Sequence, residues 1–283
     1  MSNLTNDSLK KSFENAGFSD EEKVSVLTGI AKNRADEQSF SGYFEENWSE
    51  AFLCSECFYT LICQADDAYS KYISALPDDI LNEKKSLYTA LLTLQRRAAQ
   101  QYLEIITLIK NGFSDGAFAR WRSMHELSVI SSFILKYGEE VAEKFIEAQS
   151  TEDRYDWAMV SGAFRENKRH VTFGDILKLT DMNDDVWKEN YTVANQTVHA
   201  SPQGTFGRLG APEGDSKSSY RSGYGIAAPA IQCANTLALV SSMLFSVFQD
   251  EKTIRKMTLA ANWLEELTDV YLRTHEKLFG EEA

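Results

Sequence analysis

Proline is scarce in this chain, four residues among 283, and fifteen glycines are few for its length. A fold of many short strands needs far more turn residues, so the composition favours long helices. No segment alternates apolar and polar residues between hairpin turns, and strands are expected to be incidental. The four cysteines, Cys54, Cys57, Cys63 and Cys233, do not resemble a secreted disulfide framework, because three crowd one segment. The opening "MSNLTNDSLKKSFENAGF" has no apolar signal core. No uninterrupted apolar run approaches the ~18 residues of a membrane span. The expectation is a cytoplasmic protein that does not span a membrane. Cations are also in deficit: 29 Lys and Arg against 42 Asp and Glu give −13. Such a surface repels nucleic acid and anionic membrane at long range, though a local basic pocket is compatible with it.

Apolar residues make up 43% and aromatics 12%, enough for a large core. Ser19 and Glu22 form a capping box that opens a helix to about residue 36. A second helix is predicted over 41–75, stopped by Pro77, and a third over 78–110, ended by Asn111-Gly112. A fourth follows over 114–137, ended by Gly138, then a broken or bent fifth over 139–167. Shorter pieces are predicted at 173–179 and 184–200. Two last helices cover 226–248 and 251–278. Between them "SPQGTFGRLGAPEGDSKSSYRSGYG", residues 201–225, holds six of the fifteen glycines and reads as an irregular functional loop. The expected fold class is all-α: a multi-helix bundle of long antiparallel helices over 41–283, with an N-terminal helical extension over 1–40.

Chemistry concentrates in "RWRSMHE", Arg120 to Glu126. Helical spacing puts Arg122, His125 and Glu126 on one face, and the helix is apolar nearly all round beyond them. Buried charges need partners, so Arg122 and Glu126 should pair with each other or with neighbours. One reading is a structural clasp that fixes helix register. The other is a site where arginine holds an anion and histidine moves a proton, with Arg122, His125, Glu126 and His199 as candidate catalytic residues. Arg120 with His125 makes an R-x4-H pattern, but five residues separate them by about 140° on a helix.

"YTVANQTVHASPQG" places Tyr191, Asn195 and His199 on a second polar stripe, with His199 at a helix C-terminus. Arg120, Tyr191, Asn195, Ser201 and Arg208 are candidate ligand-binding residues. The loop carries Arg208, Lys217 and Arg221 against Glu213 and Asp215, and "RENKRH" (165–170) is also basic. Converging on Arg122, these runs would focus a phosphate, a nucleotide or an RNA strand. "GTFGRLG" matches neither glycine-rich phosphate motif. Cys54-x2-Cys57-x5-Cys63 lies in a helical apolar context without a second C-x-x-C, so buried cysteine is expected in place of zinc. E-x-x-H and H-E-x-x-H are absent. Neither metal nor cofactor is expected, and homodimerisation through the long apolar helices is the expected assembly.

"GAFARWRSMHELSVISSFIL", then "RYDWAMV", then "YTVANQTVHASPQG" resembles an uncharacterised family of bacterial helical proteins. Arg122, Ser123 and Glu126 match its R-S-x-x-E motif, and Tyr191, Val198, His199 and Ser201 its later Y…S-x-x-V-H-x-S stretch. Asn195 or Gln196 stands where that stretch has a serine. More loosely, the helical layout and R-x4-H are similar to the HEPN superfamily, although Trp121 follows Arg120 where a polar residue is usual. That resemblance implies metal-independent RNA cleavage, or nucleotide binding alone, in a bacterial defence or toxin system. The non-enzymatic alternative is a helical sensor or assembly module held by a buried Arg–Glu–His clasp.

Overall fold

The glycines and caps punctuate the helices as their chemistry requires. A computed structural model describes residues 6–150, 154–164, 170–182, 185–199, 202–207, 210 and 221–280. All regular structure among them is helical. The α-helices are α1 (Asn6–Asn15), α2 (Asp20–Ile73), α3 (Asp78–Glu83), α4 (Lys85–Lys110), α5 (Ser114–Tyr137), α6 (Glu139–Glu147), α7 (Phe173–Leu177), α8 (Asp185–Val198), α9 (Pro202–Phe206), α10 (Ala227–Phe245) and α11 (Glu251–Phe279). A short 3-10 helix spans Asp156–Ser161. The chain divides into two units, Met1–Asn47 and Trp48–Ala283.

In the first unit the capping box forms as expected. The Ser19 N–H and Oγ both donate to Glu22 Oε2 at 2.7 Å, and the Glu22 N–H donates to Ser19 Oγ. Residues 37–40 were expected to separate two helices, but α2 continues through them. They contain neither proline nor glycine, so nothing in them ends a long helix.

In the second unit α5 is central. No residue from Ala117 to Leu135 is exposed. It packs on α4, α8 and α10, and α10 packs on α4 and α11. α10 is long and apolar enough to cross a membrane by composition, and most of it is buried against these neighbours. Buried hydroxyl and indole groups find partners across the bundle. Trp121 Nε1 donates to Thr236 Oγ1 at 2.9 Å, Tyr102 Oη to the Ser55 carbonyl at 2.9 Å, and Tyr69 Oη to the Leu244 carbonyl at 3.0 Å. Leaving any of these donors unpaired would cost about 1–3 kcal/mol, so they fix the helices' relative positions.

Three boundaries depart from expectation. The third predicted helix divides at Lys84, because the Glu139 carboxylate accepts the N–H groups of Ser86 and Leu87 at 2.7 and 2.8 Å and caps a new start. The fifth ends early, at Glu147, and gives way to 3-10 turns. Pro202, expected to stop α8 and begin a loop, opens α9, where proline suits the first turn. The loop 201–225 lies largely outside the described residues.

The cysteines are free thiols. Cys54 and Cys233 are buried and Cys57 is half-buried. Cys63, expected to be buried, is exposed. Nine residues from Cys54 turn the helix by about 900°, onto the opposite face.

Candidate anion site

Arg122, His125 and Glu126 lie on adjacent turns of α5, yet they divide between two environments. His125 is only 1% exposed and points into the core, where its ring stacks on Trp121 at 5.5 Å and meets Tyr191 at 5.3 Å. Arg122 and Glu126 stand at the rim. Their side chains are 29% and 14% exposed and pair through Arg122 Nη2 and Glu126 Oε1 at 3.2 Å. The i, i+4 spacing read from the sequence makes this contact.

α8 closes the site from the other side. Asn195 Oδ1 accepts from Arg122 Nε at 2.5 Å, and Tyr191 Oη donates to Glu126 Oε1 at 3.2 Å. The Arg122 guanidinium lies over the Tyr191 ring, 5.4 Å from its centre. Burial pushes the Tyr191 phenol above its usual range, with the Glu126 charge adding to the shift and Arg122 opposing it. It therefore stays a hydrogen-bond donor at neutral pH. Tyr191 and Asn195, four residues apart, present one face to α5 as the stripe predicts.

Sequence reasoning missed Arg154. It lies in the turn between α6 and the 3-10 helix, and its Nη2 donates to Glu126 Oε2 at 3.4 Å. Its guanidinium lies 5.2 Å from the centre of the Tyr155 ring. Trp157 Nε1 donates back to the Arg154 carbonyl at 3.1 Å and pins this turn. Phe173, on α7, contacts both Tyr155 and Tyr191, at 6.3 and 5.8 Å. Two guanidiniums thus flank one carboxylate, each over a tyrosine, with Phe173 bridging the rings. Each such cation–ring contact is worth about 0.5–1 kcal/mol near solvent. The only signal available in the sequence was an arginine beside an aromatic in "RYDW", which has no periodicity to give it weight.

The cluster sums to +1 in a chain of −13. A guanidinium carries five N–H donors. Arg122 spends two on Asn195 and Glu126, and Arg154 one on Glu126, leaving donors unclaimed among the described residues. The Arg154 side chain is 74% exposed and open to a ligand. Such donors fit the oxygens of a phosphate or carboxylate.

Other expected site residues lie elsewhere. Arg120 pairs through Nε with Glu104 of α4, because two residues from Arg122 it points about 200° round the helix. His199 is exposed, just beyond the end of α8, one turn past Asn195. Arg221 reaches Asn111 at 3.5 Å and lies over Phe113, at the start of α5 and two turns from Arg122. Ser201, Arg208, Lys217 and the basic run 165–169 lie outside the described residues. No group of three or more His, Cys, Asp or Glu side chains suited to a metal ion occurs among the described residues.

Residues 88–158 match the family of unknown function DUF5677. The match covers α4 from Tyr88 onward, all of α5 and α6, and Arg154, and so includes Arg122, Ser123 and Glu126; the stretch around Tyr191 and His199 falls beyond it. No curated protein and no solved structure matches the chain.

Proposed function

We propose that the protein binds a phosphate-bearing ligand, RNA or nucleotide, through Arg122 and Arg154. The observation that carries this reading is the sharing of one half-buried carboxylate by two arginines. Glu126 presets both guanidiniums at the rim and neutralises only one of them. A binding role is favoured over cleavage because His125, the proton-transfer candidate next to Glu126, is buried and faces the core. His199 is exposed just past the end of α8.

The test is fluorescence anisotropy with an end-labelled oligoribonucleotide in chelator, with inorganic pyrophosphate as competitor. Binding should weaken steeply with salt. It should fall about tenfold or more in Arg154→Gln and in Arg122→Gln, as expected when a charge-assisted contact of about 1.5–3 kcal/mol is lost. Equal binding by both variants and wild type would remove the proposal. The same samples, run on a gel, test cleavage: RNA cut by wild type but intact with His125→Ala would replace binding with the metal-independent ribonuclease.

A second reading has its own support. The Arg122–Asn195 and Tyr191–Glu126 bonds tie α5 to α8, which suits a non-enzymatic module whose polar clasp holds the bundle. Loss of stability in Glu126→Ala without any phosphate affinity in wild type would favour it.

A further inference from the structure

A cleft of about 560 Å³ opens beside the arginine cluster, between α4, α6 and the turn that bears Arg154. Its volume falls within the roughly 300–1,000 Å³ of small-molecule sites. Phe145, Ile146 and Trp157 form an apolar wall. Phe145 and Trp157 meet edge to face at 5.0 Å, which holds the indole plane. Arg154 lines the same cleft while its guanidinium reaches Glu126. The Trp157–Arg154 hydrogen bond couples the apolar wall to the cationic end, so their spacing is fixed locally.

The rim is polar in one sense. The Thr89 and Thr93 hydroxyls donate to the carbonyls of Lys85 and Thr89, each at 2.8 Å. Their only proton is committed, and their lone pairs remain as acceptors. Gln149 adds an amide. A flat ring with N–H groups on its edge matches this rim. A plain acyl chain would fill the wall but leave the acceptors unmatched, at the cost of their lost hydration.

Resting on the phosphate-binding reading above, we infer that the ligand is a nucleoside phosphate: the base enters the cleft against Trp157 and Phe145, and the phosphates meet Arg154 and Arg122. Titration calorimetry at low salt with ADP, GDP, inorganic pyrophosphate and a long-chain fatty acid tests this on the full chain. The expected result is that one nucleotide binds at least tenfold tighter than pyrophosphate. Thr93→Trp, at an exposed position on the rim, should abolish that advantage and leave pyrophosphate affinity unchanged. If thermal melts show Thr93→Trp misfolded, Gln149→Ala replaces it and should weaken the nucleotide several-fold. Nucleotide and pyrophosphate binding equally, nucleotide affinity untouched by the folded rim variant, or the fatty acid binding in place of nucleotides would each overturn the cleft assignment. The first two of these leave the arginine site standing provided pyrophosphate still depends on Arg154. No binding of either phosphate compound, or binding indifferent to Arg154→Gln, would overturn both.

Discussion

Replacing Glu126 with alanine removes three contacts at once, and the structure sets what each is worth. Tyr191 loses the acceptor of its phenol at 3.2 Å, a half-buried hydrogen bond worth about 1 kcal/mol. Arg122 loses its carboxylate but keeps Asn195. Its 29% exposure brings the roughly 3–5 kcal/mol of a fully buried orphaned charge down to about 1–2 kcal/mol. Arg154, 74% exposed, behaves as a surface pair and contributes at most about 1 kcal/mol. The sum is about 2–4 kcal/mol, or a melting temperature lowered by about 3–7 °C in a chain of this size. Differential scanning calorimetry measures it directly. A cycle with Tyr191→Phe should show a coupling of about 0.5–1 kcal/mol, because the two side chains touch. A total loss under about 1 kcal/mol would refute the reasoning, since the removal of one hydrogen bond could account for it without a clasp.

Two further outcomes follow from residues away from the site. Asp250 caps α11, accepting from the Thr253 N–H and hydroxyl at 2.9 and 2.8 Å. Partial burial raises its pKa, but the hydrogen bonds from Thr253 and Lys252 outweigh it and hold the carboxyl below its usual range. A depressed folded value gives stability that is present above the unfolded pKa of about 3.9 and is lost as pH falls through the folded one. Asp250→Ala should therefore cost about 1 kcal/mol at neutral pH, with the gap to wild type closing below about pH 4; a gap that widens in acid would contradict the cap. Iodoacetamide should label Cys63 first and Cys233 last in the native chain, as peptide mass spectrometry would show. Desolvation pushes the Cys63 thiol up, with Asp66 and Asp67 adding and a hydrogen bond to Tyr59 opposing, so its reaction should be slower than that of a free thiol. Prior labelling of Cys233 would contradict the burial described for α10.

Helix existence was legible wherever a local rule acted alone. Ser19 with Glu22 made its capping box, and Gly112 and Gly138 took the positive φ values, 74° and 84°, that end α4 and α5. The central place of α5 followed from its apolar circumference. Local rules failed where a distant residue intervened: Glu139, some fifty positions away, restarts the helix at Lys85. The site shows the same division. The Arg122–Glu126 pair and the Tyr191–Asn195 stripe each obey helical spacing, so both could be read. Their facing one another depends on how α8 packs, which no short-range pattern encodes. His125 was assigned to the charged face by its three-residue offset from Arg122, but its 100° step from Glu126 was enough to turn it into the core. Arg154 sits in an irregular turn, where periodicity gives no guidance.

The peptide bond joining His125 to Glu126 spans the border between dry interior and wet rim. Any tilt of α5 that re-aims the carboxylate must also drag the imidazole across Tyr191 of α8. The geometry of the outer rim and the solidity of the interior are therefore written in the same helical turn, and neither can drift through mutation without the other being rebuilt.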